Sequence, residues 1–216
     1  FLYPNNNAPM LLMNYQDPAN PQPAYNEDGS LNTNIVPNKF FADVRVRQAV
    51  AMGYDKSALT LTHGENSGSV QLTGPISLAF YEGYVMSAIE PWPYDPEAAK
   101  ALLAKAGFPG GQGFPKFEMY IRQPNDKQKL MCEAIQAMWQ ENLGITVELR
   151  PSDFQSFTAA AFTDKTAPIY HVGYALDYYD PATFLNVFRD GGRHPTDTKD
   201  WTEKYVATIR PWIQRQ

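Results

Sequence analysis

Cysteine is almost missing from this sequence: Cys132 stands alone among 216 residues. A lone thiol cannot close an intrachain disulfide, so the fold must rest on its core, and a chain of this length is long enough to bury one. The place of Cys132 in a helical pattern suits a small buried hydrophobe. Histidine is scarce too, and His63, His171 and His194 share no metal-ligand spacing, so no metal site is expected. His171 falls in an apolar run and reads as a hydrogen-bonded core residue. The 18 basic residues form no run and are outnumbered by 23 acids, for a formal net charge of −5. That balance gives no electrostatic grip on phosphate backbones or anionic lipid, which excludes nucleic acid as an expected partner. No stretch of about 18 consecutive apolar residues is present, so direct membrane insertion by this chain is not expected. The chain starts at Phe1 without a charged segment and an apolar one behind it, which reads as a processed or excised start.

The common catalytic signatures are missing as well. There is no Gly-x-Ser-x-Gly elbow, His-Glu-x-x-His or P-loop, and Gly110-Gly111-Gln112-Gly113 precedes a strand pattern where a dinucleotide loop would follow one. No cofactor is expected. Asp177 and Asp180 could be paired carboxylates of a small carboxylate-dependent enzyme, but Asp180-Pro181 suits a helix cap and first helical position better.

What is there is a sequence of elements. Residues 1–43 carry a strand pattern at Met10–Tyr15 and then a Pro- and Asn-rich surface loop, Gln16–Pro37. Asp43 opens a helix whose apolar residues Val46, Ala49 and Val50 recur at helical spacing, followed by a short helix at Lys56–Thr62. Asp95-Pro96-Glu97 signals another, with Ala99, Leu102 and Leu103 on one face and Gly107 at its end. Phe117, Met119 and Ile121 alternate as a strand. Asp126 is positioned to cap a long helix with Leu130, Met131, Ala134, Ile135 and Met138 on one face, closed by Gly144. Ile145, Val147 and Leu149 form a second strand, Asp153 caps a helix carrying Phe154, Phe157 and Ala161, and Ile169 begins a third. A last helix pattern runs from Asp200 to Ile209.

Three strands alternating with helices predict a parallel βαβαβ core with right-handed crossovers, an α/β fold. In such a sheet ligands bind outside the carboxyl ends of the strands, here Arg122–Asp126, Arg150–Asp153 and Tyr174–Asp180. Asp177 in the last of these either serves nearby amides or faces a ligand. Tyr174 and Tyr178 would be aromatic walls beside it.

Four ordered segments carry a family resemblance: Phe41-Ala42-Asp43-Val44-Arg45-Val46-Arg47-Gln48-Ala49 with Tyr54-Asp55-Lys56; Tyr94-Asp95-Pro96-Glu97 through Phe108; Ala134-Ile135-Gln136-Ala137-Met138-Trp139 with Leu143-Gly144-Ile145-Thr146-Val147-Glu148-Leu149; and Tyr174-Ala175-Leu176-Asp177-Tyr178-Tyr179-Asp180-Pro181 with Phe184-Leu185. Together the chain resembles the dipeptide-, oligopeptide- and nickel-binding receptors of ABC transporters, extracellular solute-binding family 5. The resemblance implies one lobe of a two-lobed periplasmic-binding-protein-like fold, a mixed sheet with a βαβαβ core flanked by helices. It divides residues 1–216, as a single ligand-binding lobe, into an irregular lead-in (1–40), the family core (41–192) and a truncated tail (193–216). It implies a receptor outside the cytoplasmic membrane, periplasmic or extracellular and compatible with a lipoprotein anchor, whose partners are a small solute, the remaining lobe and an ABC permease. The expected solute is a peptide, with oligosaccharides as the alternative. In the peptide-binding members the acid matched by Asp177 pairs with the peptide's amino group, and Tyr174 stands where Trp is common. The expected ligand-binding residues are Asp177, Tyr174, Tyr178, Tyr179 and Arg150.

Overall fold

The computed structural model describes residues 7–13, 41, 43–61, 92–164, 166–175 and 177. The expected Gln16–Pro37 loop, His63, the Asp180-Pro181 helix start and the Asp200–Ile209 helix lie outside them. By compactness the chain divides into two units, one formed by Leu11–Gln71 and Trp92–Val172, the other by Phe1–Met10, Leu72–Pro91 and Gly173–Gln216.

In the first unit, local side-chain chemistry starts the helices, most of them where the sequence predicts. Asp43 has extended backbone and accepts the Arg45 N–H at 2.8 Å, opening α1 (Val44–Met52). A short α2 (Lys56–Leu61) follows, begun by Asp55, whose Oδ1 takes the amides of Ser57 and Ala58. Asp95 caps α3 (Pro96–Lys105) by accepting from Ala98 N, with Pro96 at the first helical position. For α4 (Asp126–Leu143) the cap is Asn125, not Asp126: the Asn carboxamide oxygen accepts from Gln128 N at 3.0 Å and Asp126 becomes the first-turn acid. Both residue types cap well, so the pattern alone does not separate neighbours. Asp153 caps α5 (Phe154–Thr158), which is shorter than its apolar spacing suggests because the backbone widens into one π turn at Ala159–Thr163.

The strands are β1 (Asn7–Met13), β2 (Phe117–Arg122), β3 (Val147–Ser152) and β4 (Ile169–Ala175), in spatial order β1-β4-β2-β3. β1 begins three residues earlier than the expected Met10, since pairing sets strand ends more than residue preference does. β2 pairs in parallel with β3, Phe117 against Val147 through Arg122 against Ser152, and in parallel with β4 at Met119–Ile169 and Tyr120–Tyr170. This is the predicted parallel βαβαβ core, flanked by helices. Alternate residues of β2 and β4 feed two apolar clusters. Phe117, Met119, Ile121 and Ile169 join Val46, Val50, Leu103, Ile135, Trp139 and Leu143 of α1, α3 and α4, whereas Tyr120 and Tyr170 join Phe157 and Ala161. The sheet therefore has a covered side for each pleat direction.

Two apolar assignments differ from the expectation. Leu130 on α4 and Phe154 on α5 are both exposed, and the α4 stripe is Gln128, Met131, Cys132, Ile135, Trp139 and Leu143. Helical spacing finds a stripe but not the width of the surface that covers it. Cys132 is fully buried, and its burial pushes the thiol up to about 12, which keeps it a protonated, unreactive core residue.

Gly144 closes α4 with left-handed backbone (φ 68°), against the turn of Gly110 and Gly111. A Cβ on Gly111, itself at φ 78°, would lie 2.5 Å from the Gly144 carbonyl oxygen and 2.7 Å from that of Leu143. Both atoms are backbone and cannot step aside, so the α3–β2 connection and the end of α4 interlock only through glycine.

Asp43 also carries an ion pair that ties α1 to α3. Its side chain is almost fully buried, Arg45 Nε and Nη2 donate to its two oxygens, and Arg45 Nη1 reaches the Lys105 carbonyl at 2.8 Å. Burial pushes the carboxyl up, but the bonds from the Arg45 side chain and amide and the charges of Arg45 and Arg47 together hold it below the usual carboxylate range. A depressed folded-state value means a stability contribution that is complete above the unfolded pKa, about 3.9, and lost as pH falls through the folded one. Asp43→Asn should therefore lose about 1.5–3 kcal/mol of unfolding free energy at pH 7, and the gap to wild type should narrow below about pH 4. Urea unfolding at pH 7 and pH 3 measures both; an equal gap at the two values would remove the carboxylate from this role.

Candidate functional site

The carboxyl ends of β2 and β3 lie side by side, as the register of Arg122 with Ser152 requires. The ladder runs one residue further, where Gln123 N donates to Ser152 O at 2.9 Å, before the chain turns through Pro124 and Asn125 into α4. From β3 it turns at once through Asp153 into α5. One edge of the sheet thus carries both strand ends and two helix starts, the position in which parallel α/β sheets place ligands.

Of the two acids at this edge, Asp126 and Asp153, the second is engaged by its own helix. Asp153 Oδ1 accepts from Gln155 N and Ser156 N, and Ser156 Oγ donates to Oδ2 at 2.6 Å. The Ser156 hydroxyl and amide hold its carboxyl below the usual range. The cationic side chain behaves differently. Arg122 lies with its guanidinium carbon 4.6 Å from the centroid of the Phe154 ring, and among the described residues it forms no ion pair.

Two polar groups near this edge are buried. Gln128, in the first turn of α4, donates its side-chain N–H groups to the His171 carbonyl at 2.8 Å and to His171 Nδ1 at 2.6 Å. A carbonyl only accepts, so the carboxamide atom facing it is nitrogen. Nδ1 then accepts the second proton, and the neutral imidazole carries its own on Nε2. The expected hydrogen-bonded core role of His171 is thereby given its partner. Sequence reasoning missed Gln128, yet a signal existed: it occupies the same helical stripe as Met131, Cys132 and Ile135, a polar residue where the spacing calls for an apolar one. Gln123 Nε2 and Thr158 Oγ1 are buried with no hydrogen-bond partner among the described residues.

Of the residues expected to bind ligand, Arg150 sits in β3 opposite Tyr120, and its Nη1 donates to Glu118 Oε1 at 2.9 Å, while Tyr120 OH donates to Glu118 Oε2 at 3.1 Å. That network occupies the body of the β2–β3 pair. Asp177 belongs to the second unit, is exposed, and follows the last residue of β4 by two. Tyr174 is in β4; its side chain, Tyr178 and Tyr179 lie outside the described residues. Among the described residues no group of three or more His, Cys, Asp or Glu could hold a metal ion, and no helix is long and apolar enough to cross a membrane.

Residues 3–195 match the sequence model of bacterial extracellular solute-binding proteins, family 5 Middle. The chain belongs to this family. Among its relatives, it is 26% identical to the oligopeptide-binding protein OppA of Bacillus subtilis over 84% of this chain and 36% of the relative. It is 32% identical to heme-binding protein A of Haemophilus influenzae over 73% of this chain and 27% of the relative. To the dipeptide-binding protein of Escherichia coli it is 28% identical over 73% and 28%. The chain thus spans about a third of the length of these relatives. In the solved structure of Listeria monocytogenes OppA bound to peptide, 37% of that chain superposes on 92% of this one with a TM-score of 0.70 at 22% identity. Helicobacter pylori DppA in complex with a peptide gives 0.64 at 20% identity, over 84% of this chain and 29% of that one. These likenesses show that the α/β architecture of this chain is a portion of the family-5 fold.

Proposed function

We propose that this chain is part of the substrate-binding receptor of an ABC importer, that the receptor works in the periplasm or at the cell exterior, and that its solute is a peptide handed on to a permease. The observation that carries the reading is the recurrence of peptide-binding relatives across distant bacteria, from Bacillus subtilis OppA at 26% identity to Escherichia coli dipeptide-binding protein at 28%. The strand-end geometry supports it, since the edge formed by β2 and β3 carries the buried Gln123 Nε2, a donor with no acceptor among the described residues, and a peptide is rich in carbonyl and carboxylate oxygens. In this reading Asp177 accepts the ligand's ammonium, and Tyr174, Tyr178 and Tyr179 supply apolar and aromatic surface. Arg150 acts with Glu118 and Tyr120 to fix the β2–β3 pair.

Heme is the second reading, favoured by the 32% identity to heme-binding protein A. The two are separated by titrating the purified full-length receptor with di- and tri-alanine and with hemin in a calorimeter, after native mass spectrometry has identified any solute retained from the cell. Peptide binding, with no heat from hemin, is the expected result. Saturable hemin binding without response to either peptide would overturn the peptide assignment.

A further inference from the structure

We infer that Met138, on α4, is a site of reversible oxidation whose sulfoxide loosens the turn between α1 and α2. The inference goes beyond solute binding. It takes from the reading above only that the receptor works outside the cytoplasm, where peroxide has access to its surface.

The described methionines divide by what surrounds their side chains. Met52, Met119 and Met131 are buried, and half-buried Met13 packs against the same apolar core. Met138 is half-buried too, but its thioether makes a polar contact: Sδ accepts the backbone N–H of Asp55 at 3.2 Å, across 83 residues of sequence. A thioether sulfur is a weak acceptor with two lone pairs. One is directed at the Asp55 amide, and the other is left for an oxidant.

What the sulfur holds gives its oxidation a consequence. Three consecutive residues of the α1–α2 turn are each held by a residue of α4. Asn142 Nδ2 donates to the Gly53 carbonyl at 2.9 Å, the Tyr54 ring meets the Trp139 ring edge-on, and the Asp55 N–H meets Met138. Asp55 in turn opens α2 through the amides of Ser57 and Ala58. When a sulfur lone pair attacks hydrogen peroxide, a sulfur–oxygen bond forms as the oxygen–oxygen bond breaks. The second oxygen leaves as hydroxide and takes the proton of the first to become water, so that sulfur gives up two electrons and peroxide gains them. A gap of 3.2 Å between Sδ and the Asp55 nitrogen has room for the amide hydrogen and no further atom. The new oxygen therefore either enters the gap and drives the turn from α4, or turns away and leaves the N–H facing an electron-poor sulfur. Either orientation breaks the present contact and puts a polar group where an apolar one stood. Methionine sulfoxide reductases, one for each epimer, restore the thioether.

The test treats the purified full-length receptor with hydrogen peroxide and reads both the site and the turn by mass spectrometry. Peptide mapping over time should show Met138 oxidised more than about ten-fold faster than Met52, Met119 and Met131, whose sulfurs need an opening of the fold. Amide exchange at Asp55 should accelerate by about two- to ten-fold in the oxidised protein, the worth of one hydrogen bond, and return to its starting rate after treatment with both reductases. Met138→Leu should exchange fast at Asp55 with and without peroxide, while Met13→Leu should respond as wild type does. Oxidation of Met138 no faster than that of the three buried methionines overturns the inference. Oxidation that leaves exchange at Asp55 unchanged overturns it as well, and so does a peroxide response that persists in Met138→Leu. None of these readouts involves a solute, so they decide the matter whether or not the receptor binds peptide.

Discussion

Replacement of Trp139 by alanine is expected to lower the unfolding free energy of the α/β unit by about 3–5 kcal/mol. Trp139 is completely buried on α4, its ring meets the edge of Tyr54 at 5.9 Å between centroids, and its Nε1–H donates to the Val50 carbonyl at 2.9 Å. That carbonyl lies near the end of α1, where a helix has no amide of its own left to offer. The indole therefore fills the space between two helices and closes one of their unsatisfied groups. Alanine removes both contributions. Phenylalanine keeps most of the volume but leaves the Val50 oxygen buried without its donor, for an expected loss of about 1–3 kcal/mol. Denaturant unfolding of the two variants separates packing from hydrogen bonding, and a phenylalanine variant as stable as wild type would mean that the indole N–H contributes nothing beyond its ring.

The same residue shows what the sequence makes legible. Helical spacing placed α4 and its apolar character, because a stripe repeated over 18 residues is a property of the segment itself. Caps were legible for a similar reason: Asp43, Asp95 and Asp153 bond to amides two or three residues away, and such contacts are written in neighbouring letters. The parallel core followed from strand and helix alternation. What could not be read was chosen by pairing across the fold. Gln128 and His171 are 43 residues apart and meet only because β4 packs beside β2 under the start of α4. Arg150 was visible as a cation at a strand end, but its acid, Glu118, is fixed by the β2–β3 register. The exposure of Phe154 and the ring contact it makes with Arg122 depend on where α5 ends and the π turn begins, a matter of a few residues of backbone that periodicity does not resolve. For Asp177, local chemistry left two readings open, and the resemblance of its aromatic-acidic motif supplied the one that can be tested in solution.

Asp177→Ala should weaken binding of a peptide with a free amino terminus by roughly thirty-fold to several thousand-fold. The carboxylate is exposed in the structure. Being exposed, it keeps much of its hydration until a ligand arrives. In the bound state the balance differs. A ligand ammonium enclosed against this carboxylate loses its water, and deleting the carboxylate then leaves a desolvated charge unpaired, at a cost of about 2–5 kcal/mol. Asp177→Asn discriminates between ligands. For a peptide the amide offers a neutral oxygen where a charge is needed, so the loss should approach that of alanine; for an oligosaccharide the amide still accepts a hydroxyl hydrogen bond, and the loss should be smaller. N-acetylation of the peptide supplies the complementary change, removing the cation in place of the anion. With wild type it should reduce affinity to about the level of the alanine variant, and with Asp177→Ala it should change little, because the two alterations delete the same pair. Titration of wild type and both variants with free and acetylated tri-alanine completes the cycle. Losses that simply add would place Asp177 away from the ammonium, in the service of its own loop.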